Sequence, residues 1–150
     1  RMMMSIWDDL DKEASVDDRI GNHDFTVDKV DVGTWPSGDV YYELDGRLTT
    51  AHNFNLRQRF SPAPTEEDVI ANKASWDRNM KKAKLLAHQN AEVLAAEYST
   101  TLETIKAGDS FLVKTDYQTK DGKKYIRLIA FLPKGATLSS NGTTAGNAPF

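Results

Sequence analysis

Cations and flat rings share the same short stretches of this chain. Arg47, His52, Phe54, Arg57, Arg59 and Phe60 fall within one of them. Lys114 and Tyr117 stand in a second, and Lys120, Lys123, Lys124, Tyr125 and Arg127 crowd around an Asp121-Gly122 pair. Trp35 and Tyr41 flank the turn-like Pro36-Ser37-Gly38. Rings on which bases stack, worth about 1–3 kcal/mol per base, and cations that neutralise phosphates are what an unpaired polynucleotide needs. The two kinds of ring separate by phase. Tyr42, Phe54, Phe111 and Phe131 alternate with aliphatic residues and are expected in a core, as is Trp76 at helical spacing. Trp35, Tyr41, Tyr117 and Tyr125 have polar or turn neighbours in phase and are the stacking candidates.

Catalytic chemistry has no comparable pattern. There is no phosphate loop, no metal-binding histidine pair and no nucleophile elbow. His23, His52 and His88 are far apart, and each reads as a surface or strand histidine. The acids of residues 8–18 lack the spacing of a calcium loop. The chain has no cysteine, which removes disulfides, thiolate zinc sites and cysteine nucleophiles. No catalytic residue, metal or cofactor is therefore expected, and the chain reads as a non-enzyme.

The elements that must position the cations and rings follow from periodicity. Strand-like runs cover residues 24–35, 39–44, 47–56, 110–118 and 123–132, and a helical stripe covers 65–98. Phe25-Thr26-Val27 and Val30-Asp31-Val32 alternate in opposite phase, which predicts a bulge near Asp28-Lys29. Asp45-Gly46 predicts a hairpin between the second and third strands, and Asp121-Gly122 one between the fourth and fifth. Arg57–Pro64 reads as a connector, because Pro62 and Pro64 stop a strand. Thr65 before Glu66-Glu67-Asp68 is a helix start, and the stripe Val69, Trp76, Met80, Ala83, Ala87, Leu94, Tyr98 predicts one helix with a weak point near His88–Asn90. The expected fold is mainly β with one long helix (α+β): a five-stranded Greek-key barrel with the helix between strands 3 and 4. In such barrels the second and third strands and the loop between the fourth and fifth form the binding face, so the three clusters are expected to meet.

A chain of 150 residues is most simply one domain. Residues 1–22 read as an acidic extension, 23–134 as the barrel domain and 135–150 as a flexible Ser/Thr/Gly/Asn tail. In the extension, Ser5 caps a short predicted helix from Ile6 to about Glu13, with Ile6, Trp7 and Leu10 on one side and acids on the other; Trp7 is placed to dock on the barrel or on a partner. The net charge of −3 is unevenly spread. Residues 1–45 hold twelve acids and four bases, 46–64 hold three arginines and no acid, and 106–134 hold seven bases and three acids. Local positive surface is what steers a polyanion, so the acidic total does not exclude one. No run approaches the roughly 18 apolar residues of a membrane span, and no membrane partner is expected.

Lys106-Ala107-Gly108-Asp109-Ser110-Phe111-Leu112-Val113-Lys114, Tyr125-Ile126-Arg127-Leu128 after an Asp-Gly hairpin, and the opening Met4-Ser5-Ile6-Trp7-Asp8-Asp9-Leu10 together carry a resemblance. With this element order the chain resembles phage-encoded single-stranded-DNA-binding proteins of the oligonucleotide-binding (OB) barrel fold. The resemblance implies largely sequence-independent binding of single-stranded DNA in phage replication or recombination, inside the host cytoplasm. The nucleic-acid-binding residues expected are Trp35, Tyr41, Arg47, Arg57, Arg59, Lys114, Tyr117, Lys120, Lys123, Lys124, Tyr125 and Arg127. It also implies homo-oligomers through the long helix or barrel edges, and replication or recombination proteins as partners. The terminal Pro149-Phe150 matches the partner-docking end of bacterial single-strand binders, but residues 136–150 lack the acids that accompany it there. The alternative expectation is a protein-interaction adaptor using the acidic amino-terminal region.

Overall fold

The computed structural model describes residues 6–7 and 17–139. The expected helix beyond Trp7, most of the acidic extension and the tail with Pro149-Phe150 lie outside the described residues. Five strands, β1 (Gly21–Thr34), β2 (Val40–Leu48), β3 (Phe54–Phe60), β4 (Ser110–Lys120) and β5 (Lys123–Phe131), form one antiparallel sheet in the order β3-β2-β1-β4-β5. Helices α1 (Glu66–Asn72) and α2 (Arg78–Tyr98) lie between β3 and β4 in the chain.

The closed five-stranded Greek-key OB barrel with one long helix is not what forms. Among the described residues β3 and β5 are free edges with no backbone ladder between them. They meet through side chains: the Phe60 and Phe131 rings lie 5.1 Å apart. Two amides of β5 are taken by side chains. Leu128 N donates to Gln58 Oε1 at 3.3 Å, and Phe131 N donates to Asn90 Oδ1, on α2, at 3.0 Å. These two groups are satisfied without a neighbouring strand, and among the described residues the sheet is open.

The helical stretch also divides. The capping box at Thr65 is present: Asp68 N donates to Thr65 Oγ1 at 3.1 Å and Thr65 N to Asp68 Oδ2 at 3.2 Å. The chain then passes through a 3₁₀ turn at Lys73–Ser75, becomes extended at Trp76, and restarts at Asp77, whose carboxylate accepts from Met80 N at 2.7 Å. An Asp with an extended backbone and free carboxylate is a strong N-cap, so the break falls there. His88–Asn90 is continuous helix.

Asp45-Gly46 is not a turn but the middle of β2; the hairpin is at Thr49–Asn53, with His52 and Asn53 both left-handed (φ 57°). The third strand accordingly runs over 54–60 rather than 47–56, which moves Arg57 and Arg59 from an expected connector onto β3. The bulge between Val27 and Lys29 and the Asp121-Gly122 hairpin are where periodicity predicts them. The core lies on one face of the sheet, from Phe25, Val27, Leu44, Leu48, Leu56, Phe60, Phe111, Val113, Leu128 and Phe131, with Leu94 of α2 and with Leu102 and Ile105. Tyr98 fastens α2 to it: its hydroxyl donates to Leu132 O at 2.7 Å and accepts from Leu112 N at 2.9 Å. Trp76, expected in this core, is only half-buried and outside it.

Candidate nucleic-acid interface

Strand register decides which of the cations and rings share a face. Glu43 stands opposite Arg59 and Asp45 opposite Arg57, so Tyr41, Glu43, Asp45, Arg57 and Arg59 all point away from the core. On the other arm, Asp116 pairs with Arg127, Gln118 with Tyr125 and Lys120 with Lys123, and these too share the outer face.

The free edges β3 and β5 and the flank of α2 enclose an open cleft of about 630 Å³. Trp35, Arg57, Arg59 and Arg127 line it, together with Glu43, Gln118 and Asn90. At its mouth the Trp35 and Tyr41 rings lie 4.7 Å apart and tilted. The Arg59 guanidinium covers both, 4.4 Å from the Tyr41 centroid and 5.3 Å from that of Trp35. Its Nε donates to Glu43 Oε1 at 2.9 Å. Arg57 stands farther from the same carboxylate, at 3.6 Å, and 3.7 Å from Asp45. Both arginines remain about half exposed or more, whereas Glu43 is 15 % exposed. One sunken acid therefore orients two solvent-facing guanidinium groups. Arg127 differs: its Nε is buried with no hydrogen-bond partner among the described residues. A buried, unpaired donor on a charged group is costly, and an acceptor entering the cleft would relieve it.

The remaining expected residues do not join this cleft. Arg47 is turned to Asp28, with Nε 3.0 Å from Oδ2. Lys114 lies on the outer face of β4, opposite Ala130. Lys120, Lys123 and Tyr125 continue the outer face of the β4–β5 hairpin beyond Arg127, with Tyr125 half exposed. Tyr117 and Lys124 are on the reverse face, where Lys124 Nζ sits 4.9 Å over the Tyr117 ring. The Tyr117 hydroxyl donates to Asp17, which Arg19 also grips through two side-chain hydrogen bonds of 2.7 and 2.8 Å. The Arg19 guanidinium, with Tyr117 adding to it, holds the Asp17 carboxyl well below the usual carboxylate range. So Tyr117 is committed to the start of β1. The three clusters expected to converge become one arginine cleft with its ring pair, one lysine-tipped hairpin, and one tyrosine turned away.

Glu43, Gln58, Asn90 and Gln118 were not among the expected site residues. Glu43 was legible in part, since it shares the phase of Tyr41. Asn90 is a polar residue in the buried stripe of α2, four before Leu94; that spacing is the sign of an amide facing a backbone donor. Among the described residues no group of three or more His, Asp or Glu is placed to hold a metal ion, and no helix is long and apolar enough to cross a membrane. No protein-family model matches the chain, and no curated protein matches it in sequence.

Proposed function

We propose that this chain is a non-catalytic binder of single-stranded DNA, largely indifferent to base sequence, of the kind that serves phage replication or recombination. The observation that carries the reading is the Arg59 guanidinium laid over Trp35 and Tyr41 at the mouth of a cleft that also holds Arg57 and Arg127. Flat cationic and aromatic groups stacked in this way accept bases on their faces, and guanidinium edges accept phosphates. The lysines of the β4–β5 hairpin extend the positive path from Arg127 towards its tip. The cleft is open along one side, which suits a polymer passing through rather than a small molecule enclosed.

The test is fluorescence anisotropy of a labelled oligo-dT against the full chain at about 50 and about 200 mM salt. Three arginine–phosphate contacts give a slope of log affinity against log salt of about −2, at about −0.7 per contact for single strands. Absence of binding at low salt, or binding without a salt slope, rejects the reading.

A further inference from the structure

A second groove, which shares Lys84 with the lining of the arginine cleft, is left uncovered by the described residues. No residue of α1 is buried. Ile70 is 78 % exposed and Leu85 56 %. Between α1 and the first half of α2 these residues, with Val69, Ala74 and Trp76, wall a space of about 960 Å³. Its rim is cationic, with Lys73, Lys81 and Lys84 against the single acid Glu66. A seven-residue helix is far below the length at which helices persist unaided in water, so α1 needs a cover on this face.

The complement is in the same chain. Ile6 and Trp7 are helical and also open, at 72 % and 73 % exposure. In the sequence Ser5–Glu13, Leu10 follows Trp7 by three positions and Ile6 by four, the spacing of one helical face, and Asp8, Asp9, Asp11 and Glu13 stand against the lone base Lys12. An acidic segment with an apolar edge matches an apolar groove with a lysine rim in both shape of pattern and sign of charge. We propose that residues 5–13 of a second copy of this chain dock in the groove between α1 and α2, each copy giving its segment to the other. Ile6 and Trp7 on the donor side and Ile70 and Leu85 on the acceptor side are all exposed among the described residues. A contact that one chain leaves unmade on both sides is made twice in a two-fold pair. The inference does not depend on the arginine cleft.

Sedimentation velocity of the full chain, without nucleic acid and over a roughly hundredfold range of concentration, tests it. The expected result is a monomer–dimer equilibrium that weakens with salt. Trp7→Glu removes the donor and Ile70→Lys removes the groove, and each alone is expected to weaken dimerisation at least tenfold. Both changes are at exposed positions, and far-UV circular dichroism checks that the fold is kept. An equimolar mixture of the two variants is expected to associate again, because one mixed pairing keeps an intact segment and an intact groove. The double reversal Lys81→Glu with Lys84→Glu is expected to weaken the dimer in the same direction. A monomer at every concentration, a dimer indifferent to Trp7, or a mixture that stays monomeric each overturns the proposal.

Discussion

Phe25 closes over Gly46. A Cβ placed on Gly46 would stand 2.8 Å from Phe25 Cζ and collide with the Thr26 carbonyl oxygen. Both residues are buried, Phe25 completely. The glycine is there because the neighbouring strand's ring needs its space, and this is why an Asp-Gly pair, the usual mark of a hairpin, runs straight through β2. Gly46→Ala is therefore expected to destabilise the fold by about 1–3 kcal/mol, the cost of overpacking a filled core. The urea midpoint of unfolding measures it. An unchanged midpoint would mean that Phe25 moves aside freely.

Tyr41 and Arg59 are expected to separate into two kinds of loss. Tyr41→Ala removes a ring and is expected to weaken oligo-dT binding by about 1–3 kcal/mol with little change in salt slope. Arg59→Ala removes a charge as well, and is expected to flatten the slope by about 0.7. Anisotropy titrations of both variants at several salt concentrations make the comparison.

Glu43 sits between the two arginines and opposes the phosphates they would receive. Glu43→Gln keeps the shape and frees Arg57 and Arg59 from their carboxylate. Oligo-dT binding is expected to tighten severalfold at low salt, mainly through faster association. Stopped-flow association rates read this directly. Weaker binding would show instead that Glu43 matters by holding the guanidinium groups in place.

His23 gives the fold a pH dependence. The ring is fully buried, its Nδ1 shares a hydrogen bond of 2.9 Å with Thr50 Oγ1, and its Nε2 has no partner. Burial lowers its pKa from the ordinary value of 6.5. As pH falls past 6.5 the unfolded chain takes up this proton before the folded one does, so stability is fully present above that pH and declines below it. Urea midpoints at pH 7.5 and 5.5 are expected to differ in that direction, and His23→Gln is expected to shrink the difference. The Asp17 carboxyl, also depressed, acts below its ordinary value of 3.8 and does not enter this window.

Local signals were readable wherever the cause was local. Thr65 caps its helix through a residue three positions away, and Asp121-Gly122 turns its hairpin with both residues at positive φ. The change of phase after Val27 is a bulge because the side-chain alternation itself records the extra residue. Asp77 was readable by the same rule that identified Thr65, and the helical stripe obscured it: Trp76 fell in phase by coincidence with residues on α2. His23 is a strand histidine, as expected, but nothing in its neighbours told of the hydrogen bond to Thr50 or of its burial.

The site was readable in kind but not in place. Arginine and aromatic residues alternate visibly in the chain, and their chemistry follows from their types alone. Which of them meet depends on register, and register depends on contacts between strands distant in sequence. Moving the hairpin from Asp45-Gly46 to Thr49–Asn53 puts Arg59 opposite Glu43 and over Tyr41, while Tyr117 keeps the phase of Phe111, Val113 and Thr115 and its ring goes to the Asp17 side. Residue types and their alternation thus established a mainly β chain with a helical stretch between its third and fourth strands, because each rests on steric and hydrogen-bonding preferences acting over a few residues. Whether the sheet closed and which cations shared a cleft were decided by tertiary structure alone. A ring over a glycine and two side-chain amides on the β5 edge join residues distant in sequence, beyond the span of a local pattern.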